Sequence, residues 1–409
     1  MKPTDDTGSS DTAADSGHWP LRRRAVLDWL VHDTHCERFM DRILVEMSER
    51  LVAAGVPVAR VSLHFQTSHP QWRGGRVMWK AGQAEAEIDL YGYEIEKSRA
   101  FLNSPLKVIY DGAAELRVDL AAPVADPAAE STLYADLRAD GLTEYIAWPV
   151  DHTLGRRHVV TFSTARSGGF DEGHIGYLRD LLPALALVSE IRVKNIMART
   201  LLRTYVGPHA SEEILAGATT RGSGATKSAA IMICDLRDFT TLSSLWPRDY
   251  VIELLNGYFD ALSGPIEEHG GEILKFMGDG LLAIFPLEVP TACTDLLAAI
   301  REGRAAMAAL NERSARDDHP QLGYGVGVHL GDVMYGNIGS LKRLDFTVIG
   351  PAVNIASRLE SLTKEIGRPV LLSRAFVERA NCGNEVDHLG AYELKGLGEP
   401  VEVAALRLA

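Results

Sequence analysis

The sequence predicts an α+β protein of two domains: a C-terminal α/β sandwich on an antiparallel-rich sheet, and an N-terminal α+β domain, joined by a helical segment. Three observations carry this. From Ser228 onward strand-like and helix-like segments alternate cleanly. Between Leu21 and Phe170, helical stripes flank short alternating apolar runs. Between these regions Leu178, Leu181, Leu182, Leu185, Val188 and Ile191 recur at three- and four-residue spacing, the period of a helix.

Residues 1–20 are rich in Ser, Asp, Thr and Gly and bury too little to repay the entropy of ordering, so they read as a disordered tail. A regulatory segment, 21–172, follows. Its first helix carries Val26, Trp29, Leu30, Phe39, Ile43, Leu44, Met47 and Leu51 and ends at Gly55-Val56-Pro57. Strands are expected at 58–65 and 76–80, a helix at 131–140, and strands at 143–150 and 158–163. A helix from Glu172 closes the domain. This order resembles a GAF or PAS sensor domain, and the resemblance implies a regulatory role with an unknown ligand or partner. Trp72, Trp79 and Trp148 read as aromatic core rather than as a pocket lining. His32, His35 and Cys36 lack further ligands nearby and read as packing, not as a zinc site.

Segment 173–227 is expected to be a helical transducer, with Pro183 early in it or kinking it, ending in a polar linker at 219–227. The C-terminal domain, 228–409, opens with a strand at 229–235. A helix striped by Val251, Leu254, Leu255, Tyr258, Phe259, Leu262 and Ile266 stops at Gly270-Gly271. Next come a hairpin at 272–285 turning at Gly278-Asp279-Gly280, a helix at 292–313 and a second hairpin at 324–338. A strand at 344–349, a helix at 351–366 and a strand at 369–372 follow, then a short helix and two strands.

The 409 residues suffice for two cores. A net charge of −13 and a pI near 5.5 argue against nucleic acid as the main partner. Four widely spaced cysteines read as reduced thiols. No apolar run reaches membrane-spanning length, and the stretch after Arg22-Arg23-Arg24 suits an amphipathic helix rather than an export signal, so a cytoplasmic location is expected.

Two carboxylates stand where a metal-phosphate site needs them. Asp235 ends an apolar strand and opens the turn Asp235-Leu-Arg-Asp-Phe239-Thr240, while Asp279 occupies a glycine-flanked hairpin tip. Either alone is as easily a turn residue. With Lys275-Phe-Met-Gly-Asp279-Gly, Val348-Ile-Gly-Pro-Ala-Val-Asn354-Ile-Ala-Ser-Arg358-Leu-Glu and Glu393-Leu-Lys395-Gly-Leu-Gly-Glu399, this turn resembles the motifs of class III adenylate and guanylate cyclases. The resemblance implies that Asp235 and Asp279 hold two Mg²⁺ or Mn²⁺ ions, and that Lys275 and Thr347 read the purine. It also implies that Asn354 and Arg358 orient the ribose and stabilise the transition state. Lys395, Phe239 and Thr240 would contact the rest of the substrate. It further implies a homodimer with composite sites, the aspartates from one protomer and the other five motif residues from its partner. Lysine donates only, which suits adenine N1, and the Thr347 hydroxyl can accept from N6, so ATP is the expected substrate and cyclic AMP the product. A guanylate cyclase and a silent nucleotide-sensing module are the competing readings. Two departures stand out: Asp238 replaces the family's frequent glycine, and Pro351 stands where an acid is common, at a position that suits the first residue of a helix.

Overall fold

The computed structural model describes residues 18–123, 131–317 and 319–407. Most of the expected tail, 1–17, lies outside them, and its last three residues belong to a helix. The chain divides into two compact units, Met1–Leu201 and Leu202–Ala409.

The first unit runs α1 (His18–His32), α2 (Met40–Ala53), β1 (Arg60–Gln66), β2 (Gly74–Lys80), β3 (Glu87–Tyr91), α3 (Arg99–Leu102), α4 (Pro105–Tyr110), β4 (Leu116–Asp119), α5 (Thr132–Ala139), β5 (Glu144–Asp151), β6 (Arg157–Thr164) and α6 (Glu172–Val206). Its strands form one antiparallel sheet in the order β3-β2-β1-β6-β5-β4. One face, with Val61, Leu63, Trp79, Ile146, Trp148 and Phe162, packs on Ile43, Leu44 and Leu51 of α2 and Leu178, Leu181 and Leu185 of α6. The single helix expected before Gly55 is two, because the chain turns at Thr34–Cys36. The Arg192 side chain of α6 donates to the carbonyls of Thr34 and Glu37 at that break, satisfying backbone that a continuous helix would have paired. Phe39, expected in the stripe, is 47% exposed. Trp72 is half-buried against His69 rather than in the core. Strands β3 and β4 went unpredicted since neither buries a residue fully, so neither shows apolar alternation.

The second unit runs α7 (Pro208–Leu215), β7 (Gly224–Leu236), α8 (Phe239–Leu245), α9 (Arg248–Glu268), β8 (Glu272–Met277), β9 (Gly280–Pro286), α10 (Ala292–Arg316), β10 (Tyr324–Gly339), β11 (Leu344–Ile349), α11 (Pro351–Ile366), β12 (Val370–Ser373), α12 (Arg374–Ala380), β13 (Val386–Tyr392) and β14 (Val401–Leu406). The sheet order is β13-β14-β12-β10-β7-β9-β8, with β11 also on β10, and only the β10–β12 pairing among the described strands is parallel. Helices α9 and α10 cover one face through Tyr258, Leu262, Ile266, Leu296 and Ile300. Ala210 of α7 and Ala352 and Ala356 of α11 pack on the other, against Ile231, Ile233 and Ile284.

Two sequence expectations need correction here. Residues 324–338 are one strand, not a hairpin: β10 pairs with β7 without a break from Tyr324↔Leu236 to Gly336↔Gly224. The turn comes later, where Ser340 donates its amide to the Arg343 carbonyl. By the same pairing β7 starts at Gly224, so the end of the expected linker 219–227 is strand. Among the described residues no helix is long and apolar enough to cross a membrane. All four cysteines are free thiols.

Candidate active site

The β7–β9 pairing sets Asp235 opposite Gly280, so Asp279, one residue earlier in the β8–β9 hairpin, stands beside it. The two carboxyl groups face each other within side-chain contact. Burial, then the charge of Asp279, raises the Asp235 pKa above the ordinary carboxylate range. Gly280 lets the strands approach closely here: a Cβ would lie 3.0 Å from Asp235 Oδ1 and 3.1 Å from the Cys234 carbonyl, so a side chain would press on the Asp235 carboxyl. Gly278 makes the turn at φ +71°. Two repelling carboxylates at a strand end call for a cation. Among the described residues no cluster of three His, Cys, Asp or Glu side chains completes a metal cage. Mg²⁺ and Mn²⁺ commonly take one or two protein carboxylates and complete the sphere with phosphate oxygens and water, so the Asp235–Asp279 pair suits either ion.

Asp238 caps α8 in the left-handed region at φ 55°, ψ 24°, the conformation that explains glycine's frequency there in the resemblance. Phe239 packs on the core of the unit, and Thr240 is exposed in the first turn of α8.

Lys275 lies half-buried on edge strand β8, just past a bulge between Ile273 and Lys275 that lets Leu274 turn inward. Strand β11 lies close to β8 and carries Thr347 opposite Gly336 of β10. Thr347 is 5% exposed, and its hydroxyl has no hydrogen-bond partner among the described residues. A buried orphan hydroxyl is costly unless a ligand satisfies it.

Pro351 is at the start of α11, as expected of a first-turn proline. Asn354 and Arg358, one turn apart on α11, are both exposed, while Ala352, Ala356 and Leu359 face inward. Ala352 abuts Gly331, which pairs with Ala229, six residues down β7 from Asp235. That is about 20 Å of strand. Ala356, one turn on, abuts Gly327, whose β7 partner Ile233 is two residues from Asp235, so α11 runs back toward the aspartates with Asn354 and Arg358 on its exposed face. Lys395 projects from an exposed turn that buried Leu394 anchors and that closes with a Leu397 amide to Leu394 carbonyl bond. None of Lys275, Arg358 and Lys395 has an ion-pair partner among the described residues.

The sequence reading assigned no role to Glu360, although it ends the quoted Arg358-Leu-Glu stretch. It is 5% exposed, it lies within electrostatic reach of Asp235, and its Oε1 has no hydrogen-bond partner among the described residues. Burial first, and Asp235 second, raise its pKa. The signal available in the sequence was an acid in the inward stripe Ala352, Ala356, Leu359, Thr363.

A family model described as the adenylate and guanylate cyclase catalytic domain matches residues 223–405. These residues form a class III nucleotidyl cyclase catalytic domain. This cyclase domain is similar to an adenylate cyclase of Anabaena cylindrica, 35% identical over 182 residues, which are 44% of this chain and 35% of the relative. The chain is also similar to adenylate cyclase 1 of Rhizobium meliloti (strain 1021), 28% identical over 303 residues, 70% of this chain and 45% of that protein. The chain thus spans less than half the length of these curated relatives. A solved guanylyl cyclase, Cya2, matches 46% of this chain and 99% of its own at 31% identity, with a TM-score of 0.41.

Proposed function

We propose that the cyclase domain converts ATP to 3′,5′-cyclic AMP and pyrophosphate in a homodimer, under control of the N-terminal unit. The observation that carries this reading is the Asp235–Asp279 pair, two adjacent carboxylates whose mutual repulsion a divalent cation relieves. Two Mg²⁺ or Mn²⁺ ions held there would activate the attacking ribose 3′ oxygen and neutralise charge on the leaving pyrophosphate.

The chain's own groups supply position and charge. Lys275 donates to adenine N1, and the Thr347 hydroxyl, orphaned in the protein, accepts from the N6 amino group. Guanine presents the reverse pattern at these two atoms. Asn354 orients the ribose. Arg358, one turn on, offers a fixed fork of donors to the α-phosphate oxygens as charge builds on them. Lys395, on its exposed turn, pairs with the polyphosphate, and Phe239 and Thr240 line its approach beside Asp235. The exposure of Asn354, Arg358 and Lys395 suits groups that complete the site of a partner protomer.

Product analysis tests the reading. Purified protein with Mn²⁺ and ATP is expected to yield cyclic AMP by mass spectrometry, and little cyclic GMP from GTP. Dominant cyclic GMP would overturn the base assignment, and no cyclic product from either nucleotide would overturn the catalytic one.

A further inference from the structure

The sheet of the first unit has a second face unlike an ordinary core. Alternation along β1 puts Arg60, Ser62 and His64 on it, and cross-strand pairing adds Arg76, Thr161, Ser163 and Tyr145. Between this face and the segments 95–110 and 131–136 lies a cavity of about 300 Å³. A cavity of about 150 Å³ holds a benzene molecule, so this one accommodates an aromatic ring with substituents. Phe65, Tyr91, Phe101 and Tyr110 contribute its apolar wall.

The polar wall is incomplete in a specific way. Arg73 and Arg76 are neutralised by Glu96 and Asp89, at 2.5 Å in each case. Arg60, 6% exposed, has no carboxylate partner among the described residues, and its Nε donates only to Met78 Sδ at 3.0 Å. An unpaired buried cation is costly, and a sulfur acceptor does little to offset it. Arg60 pairs across the sheet with Ser163, and Ser163 with Tyr145. The Tyr145 hydroxyl and Ser163 Oγ are both fully buried and have no hydrogen-bond partner among the described residues. The Ser62 hydroxyl, by contrast, is satisfied by Thr161 at 2.6 Å and His64 at 2.9 Å. Burial pushes the His64 pKa down to about 3, so this imidazole adds no charge to the pocket at neutral pH. The Arg60 guanidinium, without a carboxylate, and the orphan Tyr145 hydroxyl therefore meet at one cavity.

We propose that this cavity binds a small organic anion with a flat apolar body, its carboxylate or phosphate paired with Arg60 and a polar substituent hydrogen-bonded to the Tyr145 hydroxyl. A guanidinium accepts either headgroup in bidentate geometry. The site lies wholly in the first unit and is independent of the cyclase reading.

Isothermal titration calorimetry of the full chain tests it, with 4-hydroxybenzoate and phenyl phosphate as anionic probes and 4-hydroxybenzamide and phenol as uncharged counterparts. At least one anion is expected to saturate a single site, with its uncharged counterpart roughly tenfold weaker or worse. Arg60→Met is expected to abolish the preference for the anion. It should also raise the thermal unfolding midpoint, because it removes an unpaired buried charge. Tyr145→Phe is expected to weaken the better probe severalfold while leaving the midpoint unchanged or higher. Which headgroup binds more tightly distinguishes a carboxylate ligand from a phosphate one. Absence of anion binding at millimolar concentration, equal binding of the uncharged probes, or an anion affinity unchanged in Arg60→Met would each overturn the proposal. The readout is binding, so a negative result leaves the cyclase assignment standing.

Discussion

Asp238 holds a left-handed backbone one residue before Phe239, and it adds a carboxylate to the turn that begins at Asp235. Glycine adopts that conformation without steric cost, although it also loses more entropy on folding. Asp238→Gly is accordingly expected to stabilise the protein by about 0.5 kcal/mol, and to lower KM for ATP by removing a negative charge near the triphosphate. Thermal unfolding and initial rates check this; an unchanged KM would mean that the side chain points away from the phosphates. His158 offers a prediction in pH. It is buried, its Nε2 has no hydrogen-bond partner among the described residues, and burial lowers its pKa from 6.5 to about 3. Between those values the unfolded chain binds a proton that the folded one does not, so stability is lost as pH falls below 6.5. One such histidine accounts for about 1.4 kcal/mol near pH 5.5. Urea unfolding of His158→Gln should show an acid limb flatter by about that amount, and parallel limbs for the two proteins would refute it. At this scale the sequence was informative where a side chain's chemistry is intrinsic, as for donor-only Lys275. It was silent on Glu360 and on the orphan state of Thr347, because burial and missing partners are properties of neighbours distant in the chain.

Elements were legible where one face alone is buried. The spans of α11 and of the β8–β9 hairpin agree with the sequence reading because their caps and turn glycines are local. The reading of 324–338 failed for a different reason. Gly331-Asp332 looks like a turn, but β7 supplies hydrogen-bond partners on both sides of it, and tertiary pairing overrides local preference. The glycines of β10 serve packing instead. A Cβ on Gly327 would lie 2.2 Å from both the Ala356 carbonyl oxygen and the Glu360 amide nitrogen, so α11 rests directly on the strand. Gly327→Ala should push the helix away and cost about 3 kcal/mol. It should also lower kcat, since the same helix carries Asn354 and Arg358. Chemical denaturation and single-turnover rates measure the two effects, and a loss below about 1 kcal/mol would mean that the contact relaxes easily.

For the molecule as a whole, the decisive question is whether the site closes within one chain. Asp235 and Asp279 meet, whereas Asn354 and Arg358 lie on the exposed face of α11, turned away from the sheet on which that helix packs. Two inactive variants, Asp235→Ala and Arg358→Ala, should therefore complement when mixed. Each mixed dimer holds one intact composite site, so equimolar exchange should restore about a quarter of wild-type activity. Activity assays after subunit exchange, with dimers verified by light scattering, provide the check. Complete silence of every mixture would count against a shared site.

The sequence by itself determined the two-domain α+β plan, the cyclase motifs and the identity of the charged groups, because periodicity, caps and side-chain chemistry are written locally. Only the tertiary structure decided that Asp279 stands against Asp235, that β10 runs unbroken, and that Arg60, without a carboxylate among the described residues, meets the Tyr145 hydroxyl at one cavity. Those facts depend on strand register and on what packs above each face, and residues far apart in the chain set both.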